Sequence, residues 1–211
     1  MKIFTKFLAV TLAASAFAFA GAASAQEAPD ALVKRISSEV LDTARSDKDI
    51  QSGNNNRIMQ LVEQKILPYV DFEHMTRLAA GRFWRQATPE QQNQLITEFR
   101  SLLVYTYAGA LSQVRDQKIE FKPLRASAAD TDVEVNSQVI SSRGGEPIQI
   151  SYRLEKKNDG WKLYDVNVLG AWLVEAYKGT FTSEINKGGI DGLIKALSDK
   201  NKQLAARAGK K

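Results

Sequence analysis

Residues 132–168 read DVEVNSQVISSRGGEPIQISYRLEKKNDGWKLYDVNV. Val133, Val135 and Val139 alternate with Asp132, Glu134 and Gln138, and Ile148, Ile150, Tyr152 and Leu154 alternate with Gln149, Ser151 and Arg153. Successive side chains of a strand point to opposite faces, so this period of two predicts strands with one buried face. Gly144-Gly145 supplies the turn between the first two, and Asn158-Asp159-Gly160 leads into a further strand carrying Trp161, Leu163, Val166 and Val168. Its phase slips at Tyr164-Asp165, the mark of a bulge or bend. With Ile119 and Phe121 upstream, the segment predicts four consecutive antiparallel strands. A sheet that is apolar on one face only has to be covered there by helices, so the expected class is α+β.

The flanking sequence supplies the helices. Leu32, Val33, Ile36, Val40, Leu41 and Ala44 form a helical stripe over Pro29–Arg45, with Pro29 and Asp30 suited to its first turn. Asp47–Asn56 is polar and reads as a loop. Ile58 to Ile66 predicts a second helix that Pro68 ends or kinks, and Asp71 can cap a third, running through Leu78 to a break at Gly81. Thr88-Pro89-Glu90-Gln91 places a capping hydroxyl, a proline and a glutamine where a helix start needs them, and a long helix is expected from there to about Val114. After Gly170 the helical spacing returns at Leu173, Tyr177, Phe181 and Ile185. Gly188-Gly189 ends that helix, and Asp191 can cap a last one carrying Leu193, Ile194 and Leu197.

The N-terminus carries Lys2 and Lys6, an apolar run from Phe7 to Ala20, and Ala23-Ser24-Ala25. This is the pattern of a cleavable export signal, too short to span a bilayer and stay, so residues 1–25 are expected to be removed and the mature chain to work in the periplasm. Absence of cysteine excludes a lipid-modified cysteine and suits an oxidising compartment. The mature chain keeps 27 basic residues against 24 acidic ones, a mild formal charge of about +3. A single domain over residues 26–198 and a basic polar tail over 199–211 are expected.

The inventory for catalysis is thin. His74 is the only histidine, which rules out a two-histidine metal site, and it reads as a half-exposed surface residue. Neither a nucleophile elbow nor a phosphate-cradling loop occurs. Asp165 lies within an apolar strand, where a desolvated carboxylate can act as a general base; the simpler reading is that it turns outward or caps a backbone amide. The small net charge, with no aromatics set in basic runs, argues against nucleic acid.

Six segments read in register resemble the MlaC family, also known as toluene-tolerance auxiliary proteins. They are Leu67-Pro68-Tyr69-Val70; Gly81-Arg82-Phe83-Trp84 through Ala87-Thr88-Pro89-Glu90-Gln91; Phe99-Arg100 with Leu102-Leu103 and Tyr107; Tyr152-Arg153-Leu154; Trp161 to Val166; and Gly188-Gly189-Ile190-Asp191-Gly192-Leu193. The resemblance covers about residues 30–198. It departs from the family pattern at Leu169-Gly170-Ala171-Trp172, where the family usually has an acidic residue, glycine and then serine. It implies a highly curved, NTF2-like sheet packed with helices around an apolar pocket, and a carrier that moves phospholipid as cargo between the two membranes, with no cofactor. It also implies an outer-membrane lipoprotein–porin complex and an inner-membrane ABC transporter with an MCE-domain ring as partners. A monomer is expected. Two other readings stay open: a small-molecule enzyme on an NTF2-like scaffold with Asp165 as base, and an interaction protein with no cavity.

If the pocket exists, the apolar faces suggest where it runs. The long helix presents Phe99, Leu103, Tyr107 and Leu111, and the sheet presents Val135, Val139, Ile150, Tyr152, Val166 and Val168, so acyl chains are expected between these two sets. Met75, Leu78, Phe83 and Trp172, on short elements, are the expected mouth.

Overall fold

In the computed structural model, which describes residues 26–127 and 129–208, the alternating segments form one open antiparallel sheet in chain order. Its strands are β1 (Lys118–Phe121), β2 (Asp132–Ile140), β3 (Ile148–Lys157), β4 (Gly160–Val168) and β5 (Ala171–Trp172). Five strands replace the expected four. Leu169 and Gly170 take φ of 53° and 88° and reverse the chain, so that Asn167 pairs with Trp172 and Val168 with Ala171. Two residues are too few for alternation to register, and a helical stripe begins directly behind them at Leu173.

The phase slip is a bulge. Leu154 pairs with Leu163 and Arg153 with Asp165, which leaves Tyr164 unopposed. Leu163, Val166 and Val168 thereby stay on one face, with cross-strand partners Leu154, Tyr152 and Ile150. Val133 and Val135 join that face opposite Leu154 and Tyr152.

Helix α1 (Pro29–Ser46) covers this face, burying Leu32 and Val33 against Val133, Val135, Leu154 and Trp161. The stretch expected as a loop contains a short helix, α2 (Lys48–Gln51). The Asp47 carboxylate accepts from the Asp49 and Ile50 amides, and Ile50 is fully buried against α1 and α3 (Asn55–Lys65). A lone apolar residue carries no period, so this helix left no pattern to read.

A 3-10 turn, Leu67–Tyr69, follows α3, and Asp71 then caps α4 (Phe72–Ala80) by accepting from the His74 amide at 2.8 Å. Gly81, at φ 55°, ends it. At the start of α5 (Pro89–Tyr107) the Thr88 hydroxyl accepts from the Gln91 amide at 3.2 Å, and the Gln91 side chain accepts from the Thr88 amide at 3.0 Å. The helix stops at Tyr107, short of the expected Val114, and Ala108–Gln113 tightens into 3-10 turns through Gly109.

α6 (Leu173–Ala208) is broken at Gly188 and Gly189, the predicted helix end, where φ reaches −138° and 68°. Asp191 accepts from the Gln91 side chain at 2.7 Å. Residues past Ser198 continue as helix to Ala208, with Asn201 donating to the Glu98 carbonyl at 2.8 Å and to its carboxylate at 2.7 Å. Helices α4, α5 and α6 share a core around Phe99 and Phe181. The expected export signal lies outside the described residues; among those described, no helix is long and apolar enough to cross a membrane.

Candidate functional site

Between α1 and the sheet the packing leaves a cavity of about 210 Å³. Helix α1 contributes Leu32, Val33, Ile36, Ser37, Val40 and Leu41, spaced to keep one side of the helix against the void. Ile66, Tyr69 and Val70 close one end, and Ile119, Tyr152, Leu154 and Leu163 form the sheet wall. Among the described residues of the lining, the polar side-chain groups are the hydroxyls of Ser37, Tyr69 and Tyr152. Burial pushes the Tyr152 hydroxyl above the usual phenol range, so it stays neutral. Tyr69 is held from outside: the Arg35 guanidinium lies 5.4 Å from its ring centre, and Arg35 is itself fixed by two bonds to Glu27 at 2.8 and 2.9 Å. Such a lining holds hydrocarbon and offers no charge for acid–base work.

The polar clusters lie elsewhere. Asp165 is buried, and its Oδ1 accepts from the Val174 amide at 3.0 Å and the Val166 amide at 2.9 Å, which anchors the start of α6 to β4. Burial raises this carboxyl above its ordinary 3.8, with the two amides pulling the other way. An acid whose pKa is raised by folding binds its proton more tightly in the native state, so stability falls as pH climbs from about 3.8 through the folded value. Asparagine keeps an acceptor for the amides and does not titrate. Asp165→Asn is therefore expected to gain stability relative to wild type as pH climbs from about 4, as read from melting temperatures across a pH series.

His74, expected at the surface, is largely covered: its ring stacks on Tyr164 at 4.3 Å and its Nδ1 lies 3.0 Å from Glu155 Oε2. Asp71, His74 and Glu155 bring ligand atoms within 4.8 Å of one another. The Lys157 ammonium fills the space between the two carboxylates, 2.6 Å from Glu155 and 3.2 Å from Asp71. This network ties the start of α4 to β3 and already contains its cation.

Comparison with known proteins decides the family. A family profile described as MlaC protein matches residues 34–199. The chain belongs to the MlaC family. It is 24% identical over 199 residues to the intermembrane phospholipid transport system binding protein MlaC of Haemophilus influenzae, covering 93% of each chain. It is likewise 24% identical over 168 residues to toluene tolerance protein ttg2D of Pseudomonas putida, covering 79% of this chain and 77% of that one. A solved structure of a phospholipid-binding protein from Ralstonia solanacearum, in complex with a phospholipid, is 50% identical. It superposes with a TM-score of 0.78 over 83% of this chain and 98% of the other.

In this MlaC-family chain the cavity does not run where the apolar faces suggested. Helix α5 turns Phe99 and Leu103 into the core it shares with α4 and α6, and Met75 is buried there too. Phe83 packs on the same core, Leu111 packs against the α1–α3 cluster, and Leu78 and Tyr107 are exposed. Trp172 pairs with Asn167 in β5, and the Arg153 guanidinium stacks 3.6 Å from its ring centre. The sheet face was read correctly, but only Tyr152 of the expected residues lines the cavity. Val135 is buried beside it, Val139, Ile150 and Val166 are half-buried on the same face, and Val168 is 46% exposed at the far end. The α1 stripe was visible in the sequence; periodicity gives an apolar face, not the face that it meets.

Proposed function

We propose that this protein is a periplasmic phospholipid carrier that holds acyl chains of its cargo between α1 and the sheet. On this reading it shuttles lipid between the outer and inner membranes and so maintains the lipid asymmetry of the outer membrane, with residues 1–25 as its export signal. The cavity carries the reading: an aliphatic void in a chain whose 50%-identical relative is seen with a phospholipid. Exposing an acyl chain of about 15 methylenes to water costs about 12 kcal/mol, at roughly 0.8 kcal/mol per methylene, which makes a covered carrier necessary.

At about 210 Å³ the void is smaller than the roughly 300–1,000 Å³ typical of sites for small molecules, so loading has to widen it. The wall that would give is Ile66–Val70, built on the 3-10 turn Leu67–Tyr69; releasing it from β4 takes two hydrogen bonds, the Asp71 amide on the Leu163 carbonyl at 2.8 Å and Lys162 on the Pro68 carbonyl at 2.9 Å. Val139, Ile150 and Val166 continue the sheet wall that a long chain would then reach. A curved, NTF2-like sheet belongs to the same reading, supported by the Tyr164 bulge and by α1 lying across one face.

The carrier works as a monomer, without catalysis or a cofactor, and exchanges lipid with an outer-membrane lipoprotein–porin complex and an inner-membrane ABC transporter bearing an MCE-domain ring. Asp165 is engaged by two backbone amides and lies outside the cavity, which supports a structural role over that of a base. Protein purified gently from a periplasmic extract is expected to yield phospholipid on extraction, seen by mass spectrometry. Bare polypeptide, with no uptake from phospholipid vesicles, would overturn the proposal.

A further inference from the structure

Two further depressions adjoin the acyl cavity, one at Leu32 and Tyr69 and the other at Val70. The first, of about 350 Å³, shares Leu32 and Tyr69 with the cavity and continues past Trp161 to Asp159 and Lys162. The second, an open groove of about 660 Å³, begins at those same two residues and extends over Phe72 and Arg100. The shared residues set a polar surface beside the hydrocarbon lining.

The charge on that surface is uneven. Arg100, Lys156, Lys157 and Lys162 line the groove against Asp71 and Asp159. Both carboxylates are already engaged: Asp71 with Lys157 at 3.2 Å, and Asp159 with Lys162 at 2.9 Å. Lys157 is further held by Glu155 at 2.6 Å. Among the described residues, Arg100 and Lys156 have no carboxylate within 4.0 Å, and both are exposed. The Arg100 guanidinium carbon lies 5.9 Å from the Phe72 ring centre, so its fork is steadied while its donors remain free. Two unpartnered cations beside a neutral amide, Asn158, suit a phosphate, which accepts charge-assisted bonds on several oxygens.

We propose that this groove is the phosphate subsite of the carried lipid, with Arg100 and Lys156 as its cations and Lys162 shared with the depression beside the cavity. The inference rests on the reading of the cavity as the acyl-chain site. The site gives affinity for the phosphate while leaving the remainder of the head group in water, so it distinguishes phospholipids from neutral lipids rather than one head group from another.

The test compares two probes with identical acyl chains, dioctanoylphosphatidylglycerol and dioctanoylglycerol, by calorimetry on the delipidated mature protein. The phospholipid is expected to bind about tenfold more tightly at about 50 mM salt, with the margin shrinking at about 500 mM as exposed charges are screened. In the Arg100→Glu, Lys156→Glu double variant that margin disappears, while dioctanoylglycerol, which uses the cavity alone, binds as before. Inorganic phosphate at about 10 mM is expected to leave phosphatidylglycerol bound, since a free anion lacks the hydrocarbon contribution. Equal affinities in the wild type, or a margin that survives the double variant, would overturn the subsite and leave the cavity reading standing. Tight binding of inorganic phosphate would make the groove a free-anion site instead. If the wild type binds neither lipid, the cavity reading itself fails.

Discussion

Ile36→Trp and Leu163→Trp are each expected to lower the bound-lipid fraction roughly tenfold while leaving the melting temperature of the empty protein within about 2 °C of wild type. The two positions face each other across the cavity, one on α1 and one on β4, and both are half-buried. In a filled core a bulky insertion costs about 1–3 kcal/mol through overpacking, because neighbours have no room to yield. Here the indole enters space that the packing leaves open and occupies what an acyl chain would use. Val168→Trp is the control. Val168 shares the sheet face but is 46% exposed and does not line the cavity, so this variant should keep both its lipid and its melting temperature. Native mass spectrometry reads the lipid and thermal melts read the fold. Wild-type lipid content in both cavity variants would place the acyl chains elsewhere, and unfolding of both would show that this face is tightly packed core.

Features set by local chemistry were legible from the residues alone. The Thr88–Gln91 box, the Asp71 cap, the break at Gly81 and the slip at Tyr164 each depend on a few adjacent residues, and each forms as read. The buried face of the sheet was legible because alternation fixes it directly. What could not be read was pairing at a distance. Helices α1 and α5 both carry apolar stripes, and nothing in their period says which of them lies on the sheet. Phe181, Ile185 and Leu193 of α6 occupy the face of α5, and the apolar face of the sheet is covered by α1. The same long-range dependence hides the roles of single residues. Ile50 becomes core because α1 and α3 close over it, and His74 is covered because the unopposed Tyr164 places a ring beneath it. The candidate site suffered most, since a cavity belongs to the space between elements and not to any one of them.

Phe99→Ala is expected to cost about 3–5 kcal/mol of stability, a fall of roughly 10 °C in melting temperature for a chain of this size, and to leave lipid binding intact below the transition. Phe99 is fully buried, and its ring meets Phe181 edge-on at 4.9 Å and Tyr177 at 5.1 Å. Those two rings belong to α6, so the contact joins the helical half of the molecule through aromatic geometry as well as buried area. Truncation removes the transfer energy of the ring and leaves a hole among side chains that are themselves fixed by Leu95, Leu103 and Leu193. Phe99 is not among the residues that line the cavity between α1, the Pro68 turn and the sheet, so the hole left by the variant opens in the helical core and not in the space proposed for the lipid. The opposite pattern, in which lipid is lost while the melting temperature holds, is what a Phe99 inside the binding site would give. Measured together, melting temperature and lipid occupancy of Phe99→Ala therefore locate the boundary between the part of the fold that carries stability and the part that carries cargo.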